Sequence, residues 1–316
     1  MKIDFIGDTY LREPVLINRN TELSNVVLNL EAPLSSSGAP AKNKINLYMD
    51  PENLFETFKD KNIIAVNLAN NHIMDYGEEA FKNTIEILNN SGIKFFGAGS
   101  RGNNFNNPVI IGSRTALFGY SCSSTHAVFG NDKNIGSAYF DTEQVIKDFE
   151  AYSNKYNVII CVHWGREYYS FPKPEDVKKA RFLINSGVDL VIGNHPHMIQ
   201  SYEIYRGKYI FYSQGNAIFH DGIVDSYFDG YKFNRKFRMI YPKKNRISWK
   251  VSLEEETNEI AKSFMIYDKK ELKRYKSPFL EYKTRMIFPA ILYKLYSIYK
   301  NKVFSLKFRL NKLRGN

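Results

Sequence analysis

Short, almost unbroken apolar runs recur along this chain. They fall at residues 2–7, 25–30, 62–67, 94–96, 115–120, 157–163 and 188–193. A strand that is apolar without alternation is one buried on both faces, as in a sheet covered by helices. Helical patterns predicted at 51–59, 78–90, 142–156 and 175–186 lie among these runs. Strand–helix alternation of this kind predicts a layered α/β domain. Residues 202–206, 208–212 and 217–219 read as a late antiparallel patch. Arg206-Gly207-Lys208 would form the turn between its first two members.

The chemistry-bearing residues share one location, at or just past the C-terminal ends of these runs. In open α/β sheets that edge is where ligands bind. Asp8 ends the first run and Glu31 the second, Asn71 and His72 follow the third, His163 ends a later one, and His195 and His197 follow the last. Four of the six histidines fall in this set. Carboxylate, amide oxygen and imidazole together suit divalent ions such as Mn, Fe, Zn or Mg. A pair of such ions about 3.5–4 Å apart can clamp a phosphate and generate hydroxide at neutral pH. Taken singly, a histidine at a strand end is more often a hydrogen-bonded structural residue. The weight lies in five segments that share one edge.

The order of motifs is Gly7-Asp8, Asn29-Leu30-Glu31, Asn67-Leu68-Ala69-Asn70-Asn71-His72, His163-Trp164-Gly165-Arg166-Glu167, Gly193-Asn194-His195-Pro196-His197 and Tyr212-Ser213-Gln214-Gly215-Asn216. Over residues 1 to about 220 this resembles the CapA family of capsule and poly-γ-glutamate synthesis, which is similar in fold to calcineurin-like metallophosphoesterases. The resemblance implies a four-layer αββα sandwich around one or two divalent metals. It implies that Asp8 and His197 bind one ion, that Asn71, His163 and His195 bind the other, and that Glu31 bridges them. His72 would be the catalytic non-ligand, protonating a leaving oxygen. The wider superfamily carries Asp-x-His in its first motif, whereas here Thr9 and Tyr10 follow Asp8. The CapA family shares that departure, which leaves occupancy by a single ion open.

Several neighbours carry two readings. Asp75, in Asp75-Tyr76-Gly77-Glu78, reads first as a helix cap and second as a group that orients His72. Glu167 reads as support for the site or as a solvated charge, and Arg166 as an anion contact or a surface residue. Asn216 lies near the site by the resemblance, with a turn as its plain reading. Trp164 reads as a pocket wall, Cys161 as core, and His126 and His220 as surface residues.

Charge divides the chain. From residue 269 to 316 there are 14 Lys and Arg against 2 Asp and Glu, whereas the preceding 268 residues carry 30 against 31. Residues 1–253 are expected to form the metallophosphoesterase-like domain, 254–277 a charged linker and 278–316 a basic amphipathic tail. A helix is predicted from about Pro289, with Ile291, Leu292, Leu295, Tyr296, Tyr299, Val303 and Leu306 at helical spacing among Lys294, Lys300, Lys302 and Lys307. Alternation in residues 304–310 also fits a short strand. Such a helix suits an anionic membrane surface, with packing on the body or on a partner subunit as the alternative. The start has no basic segment leading into a long apolar stretch, no segment has the length of a membrane span, and Cys122 and Cys161 are the only cysteines. A cytoplasmic protein held peripherally on the inner membrane face is therefore expected.

The functional expectation is a metal-dependent hydrolase, phosphoesterase-like, in bacterial capsule or other envelope-polymer synthesis. Its partner would be an anionic polymer or phosphorylated substrate. The alternatives are a polymer-assembly enzyme using amide or acyl chemistry, and a non-catalytic subunit of a capsule synthesis complex. The body has no basic stripe, so nucleic acid is not expected as a partner.

Overall fold

The computed structural model describes residues 1–100, 105 and 107–313. Two mixed sheets carry the α/β fold. In the larger, Lys2–Tyr10 pairs in parallel with Asn25–Leu30, followed outward by Asn62–Asn67 and Lys94–Phe96. Its other flank pairs antiparallel with Ile247–Glu254, then Glu259–Asp268 and Glu271–Tyr275. The second sheet runs Tyr202–Tyr205, Lys208–Phe211, Leu190–Asn194, Asn157–His163, Thr115–Ser121, Val109–Ile111.

The unbroken apolar runs are explained by two-sided burial. Ile159 and Cys161 join one apolar cluster with Ile3, Phe5, Val27 and Ala65 of the larger sheet. The alternate residues Val158, Ile160 and Val162 point the other way, into a cluster with Val145 and Phe149 of helix Thr142–Ser153 and Leu183 and Ile184 of helix Pro174–Asn185. On the outer face of the larger sheet, Val26 and Leu28 pack with Leu54 of helix Pro51–Thr57 and with Phe81 and Leu88 of helix Gly77–Asn90. Local signals set two of the helix starts. Asp50 accepts from Glu52 N ahead of Pro51, and Asp141 accepts from Gln144 N.

Residues 202–211 form the expected hairpin, with Arg206 at φ 50° and Gly207 at φ 78° in its two-residue turn. Asn216–Phe219 does not join it. The chain crosses to the larger sheet and runs parallel to the end of Lys2–Tyr10, opposing Asp8 to Asn216. Gly7 permits the crossing, because a Cβ there would lie 1.9 Å from the Gly215 carbonyl oxygen. Segment 254–277 is not a linker. It supplies two strands of the larger sheet, in which Phe264 and Ile266 are buried on one face and Met265, Tyr267 and Leu272 on the other. The tail forms a short helix, Pro278–Lys283, and a long one, Ala290–Leu313, so the strand reading of 304–310 is wrong. The side chains of Leu306 and Lys307 lie outside the described residues.

Candidate metal centre

The parallel registers align the functional strand ends. Asp8 opposes Asn29, two residues before Glu31, and His163 opposes Asn194, one residue before His195. Both sheets therefore deliver their C-terminal edges to one place. His195 and His197 have left-handed backbone, with φ 96° and φ 53°. That conformation is costly outside glycine. It breaks the strand alternation, so both rings turn toward the cluster with centroids 6.1 Å apart.

Two groups of ligand atoms result. In one, single atoms of Glu31, His163 and His195 lie within 4.8 Å of one another, and in the other, those of Asp8, Glu31 and His197 do. Glu31 belongs to both. Its Oε1 is 3.5 Å from His163 Nε2 and 3.6 Å from His197 Nε2. Asn71 Oδ1 is 2.9 Å from His163 Nε2, which adds the amide to the first group. The second is braced by Asn29, which donates to Asp8 at 2.8 Å, and by Asn216, whose Oδ1 is 2.9 Å from His197 Nδ1.

Burial makes this grouping electrostatically unusual. Asp8, Glu31 and His163 have no exposed surface, and neither oxygen of Glu31 has a hydrogen-bond partner. Desolvation, reinforced by the Asp8 charge, holds the Glu31 carboxyl well above its ordinary range. Desolvation also raises Asp8, opposed by His197. Burial pushes His163 and His195 well below the usual imidazole value, leaving them neutral. A buried carboxyl without a partner, as at Glu31, is costly as it stands beside neutral imidazoles, and a divalent cation would satisfy it together with Asp8 and the histidines. The donor set therefore fits the group that the sequence implies.

His72 stands outside both groups. Its Nδ1 is 2.6 Å from Asp75 Oδ2, and its backbone N–H donates to Asn70 Oδ1. Asp75 is not a cap. Helix Gly77–Asn90 has Tyr76 at its N-cap with no side-chain hydrogen bond, and Asp75, fully buried, accepts instead from His72, from Leu47 N and from Lys44. A carboxylate competes for the nearest N–H groups, and here the loop offers them in place of the helix.

The other expectations separate. Asn216 is buried at the site. Glu167 is exposed, and its charge helps to raise Glu31. Arg166 turns away, donating to Asn301 at 3.0 Å and lying over the Tyr169 ring. Trp164 is no pocket wall: it is fully buried against Phe140 and Tyr212, donating to the Tyr212 carbonyl. Cys161 is core, His126 is exposed, and His220 is buried, with its Nδ1 accepting from Arg12 N. The sequence reading missed Lys44 and Asn29. Asn29 sits two residues before Glu31 on the same strand face, a usable signal. Nothing in Ala41-Lys42-Asn43-Lys44 distinguishes a site lysine from a surface one.

Similarity to known proteins agrees with this geometry. The family described as bacterial capsule synthesis protein PGA_cap matches residues 16–221, a stretch that contains every site residue above except Asp8. The chain is 30% identical over 179 residues to the capsule biosynthesis protein CapA of Bacillus anthracis, covering 54% of this chain and 44% of the relative. It is 30% identical over 201 residues to the PGA biosynthesis protein CapA of Bacillus subtilis, covering 61% and 53%. A probable polyglutamine synthesis accessory protein of Mycobacterium tuberculosis is 26% identical over 264 residues, covering 72% and 63%. The match thus spans about half the length of the first two relatives. With two thirds of its length inside the profile and the motifs converging in space, the chain belongs to the bacterial capsule synthesis protein PGA_cap family, which is metallophosphoesterase-like.

Proposed function

We propose that this protein is a metal-dependent, phosphoesterase-like hydrolase of capsule or related envelope-polymer synthesis. We read its two face-packed sheets and outer helices as the four-layer αββα sandwich of metallophosphoesterases. The observation that carries the proposal is Glu31, buried without a hydrogen-bond partner and shared by both groups of ligand atoms. Glu31 would bridge, Asp8 and His197 would complete one position, and Asn71, His163 and His195 the other. Ions held there would supply Lewis acidity and lower the pKa of water. Asn29 and Asn216 fix the faces that Asp8 and His197 present. Asp75 occupies His72 Nδ1, so Nε2 is the atom left to meet and protonate a leaving oxygen.

Purified protein is expected to hold one or two equivalents of Mn, Fe or Zn, with Mg as the remaining candidate. It should turn over one member of a panel of phosphomonoesters, phosphodiesters and γ-glutamyl amides. Glu31→Ala and His195→Ala should each lose metal and turnover, and full metal retention in both would overturn the assignment. The accessory role named for the mycobacterial relative favours a second reading, a subunit of a capsule synthesis complex. Metal retained without turnover on any of the panel would select it.

A further inference from the structure

We infer that Lys44 is a positioning residue that fastens the proton donor His72 to the ligand segment at Asn71, an inference that rests on the hydrolase reading. Lys44 Nζ donates to the Asn71 backbone carbonyl at 2.6 Å and forms an ion pair with Asp75 Oδ1. The two contacts lie on either side of His72 in the chain. Asp75 is fully buried, and its other oxygen already serves His72 Nδ1 at 2.6 Å and Leu47 N at 2.7 Å. Lys44 is therefore the cation that matches the Asp75 charge, and removing it leaves a buried carboxylate oxygen unpaired.

Lys44 does not sit on a loose loop. Tyr227 N donates to the Lys44 carbonyl at 2.8 Å, Asn43 N donates to the Phe228 carbonyl at 3.1 Å, and Ile45 bridges Ser226. These partners belong to or adjoin the strand Gly222–Phe228, whose hairpin with Phe233–Met239 stands apart from both main sheets. Asn46 closes the other side, donating to the Ala41 and Lys44 carbonyls and accepting from Ala41 N. A hairpin outside the main sheets thus holds the Lys44 backbone, and Lys44 holds the His72–Asp75 pair. His72 is thereby fixed relative to Asn71 by more than the one peptide bond they share.

The test uses the full chain loaded with Zn. Lys44→Met should retain metal and KM while kcat on bis-p-nitrophenyl phosphate falls roughly 10- to 100-fold, the usual cost of losing a supporting partner. Lys44→Arg, which keeps the charge and its donors, should restore most of the loss. At one fixed pH, ¹⁵N shifts of labelled histidine should show His72 protonated at Nδ1 in the wild type and in Lys44→Arg. Lys44→Met should lose that single tautomer. Should Lys44→Met fail to fold, Lys44→Met with Asp75→Asn removes the buried charge and should fold, with a kcat no lower than that of Asp75→Asn alone. Independent, multiplying losses in the double variant would overturn the inference, as would an unchanged His72 tautomer and kcat in Lys44→Met. A wild type inactive on every substrate would count against the hydrolase reading instead, and the tautomer measurement would still decide the role of Lys44.

Discussion

At the scale of single residues, the division of labour among histidines follows from what each ring faces. His163, His195 and His197 approach Glu31 or one another, whereas His72 gives its Nδ1 to Asp75. His72→Ala should therefore keep its metal and lose about 10²–10⁴-fold in turnover, the usual contribution of general acid catalysis. Metal analysis beside single-turnover kinetics checks this: loss of metal would make His72 a ligand, and unchanged turnover would remove its role. The convergence of Asp8, Glu31, His163, His195 and His197 was legible in the sequence because these residues stand at or just past the ends of apolar runs, a pattern set by strand geometry. Asp75 was not, because Asp75-x-x-Glu78 satisfies a capping pattern equally well. Only the fold brings Leu47 N and Lys44 to its carboxylate. Lys44 itself lies 27 residues before its partner Asn71, too far for any local signal.

At the scale of elements, the apolar runs buried on both faces were legible, and the late strand that is exposed at one end and buried at the other was not. Glu259–Asp268 begins with exposed Glu259, Ala261 and Lys262 and becomes buried only from Phe264 onward, so its charged half reads as linker. Its pairing partner Ile247–Glu254 supplies the missing information, since Trp249 stacks on Phe264 with ring centroids 4.1 Å apart. Phe264 is 2% exposed and joins the cluster between the sheets. Phe264→Ala should then cost about 3–5 kcal/mol, as for a buried aromatic truncated in a core. Urea unfolding followed by tryptophan fluorescence would read this as a lowered midpoint. A midpoint unmoved from wild type would restore the linker reading of this segment.

At the scale of the whole molecule, the long C-terminal helix is docked on one apolar face and exposed on another. One face is docked: Tyr293 and Tyr296 pack on Tyr169, Tyr296 also meets Phe171, the Tyr296 hydroxyl accepts from Ser170 N, and Asn301 Oδ1 accepts from Arg166 and from the Tyr169 hydroxyl. This is the segment that follows His163, so the helix is fastened to the same edge of the fold as the candidate metal centre. Roughly opposite, Ile291, Leu295, Ile298 and Tyr299 are 76%, 59%, 46% and 64% exposed, with Lys294 and Lys302 exposed among them. Among the described residues, no helix is long and apolar enough to cross a membrane. An aliphatic stripe set among lysines, on the part of the chain that holds the excess positive charge, matches an anionic lipid surface. Each lysine or arginine near such a leaflet adds about 1 kcal/mol. We propose that the protein lies peripherally on the inner leaflet through this stripe, with its metal edge held near a membrane-borne polymer. Deleting the tail is a poor test, because Phe288 stacks on Phe171 and the Thr284 carbonyl accepts from Tyr202 N. Changing Ile291, Leu295 and Ile298 together to Glu alters only the exposed face. Wild type should float with phosphatidylglycerol vesicles at low salt and less at high salt, and the triple variant should stay in the soluble fraction with an unchanged melting temperature. Equal flotation of the two proteins would show that this stripe does not meet the membrane.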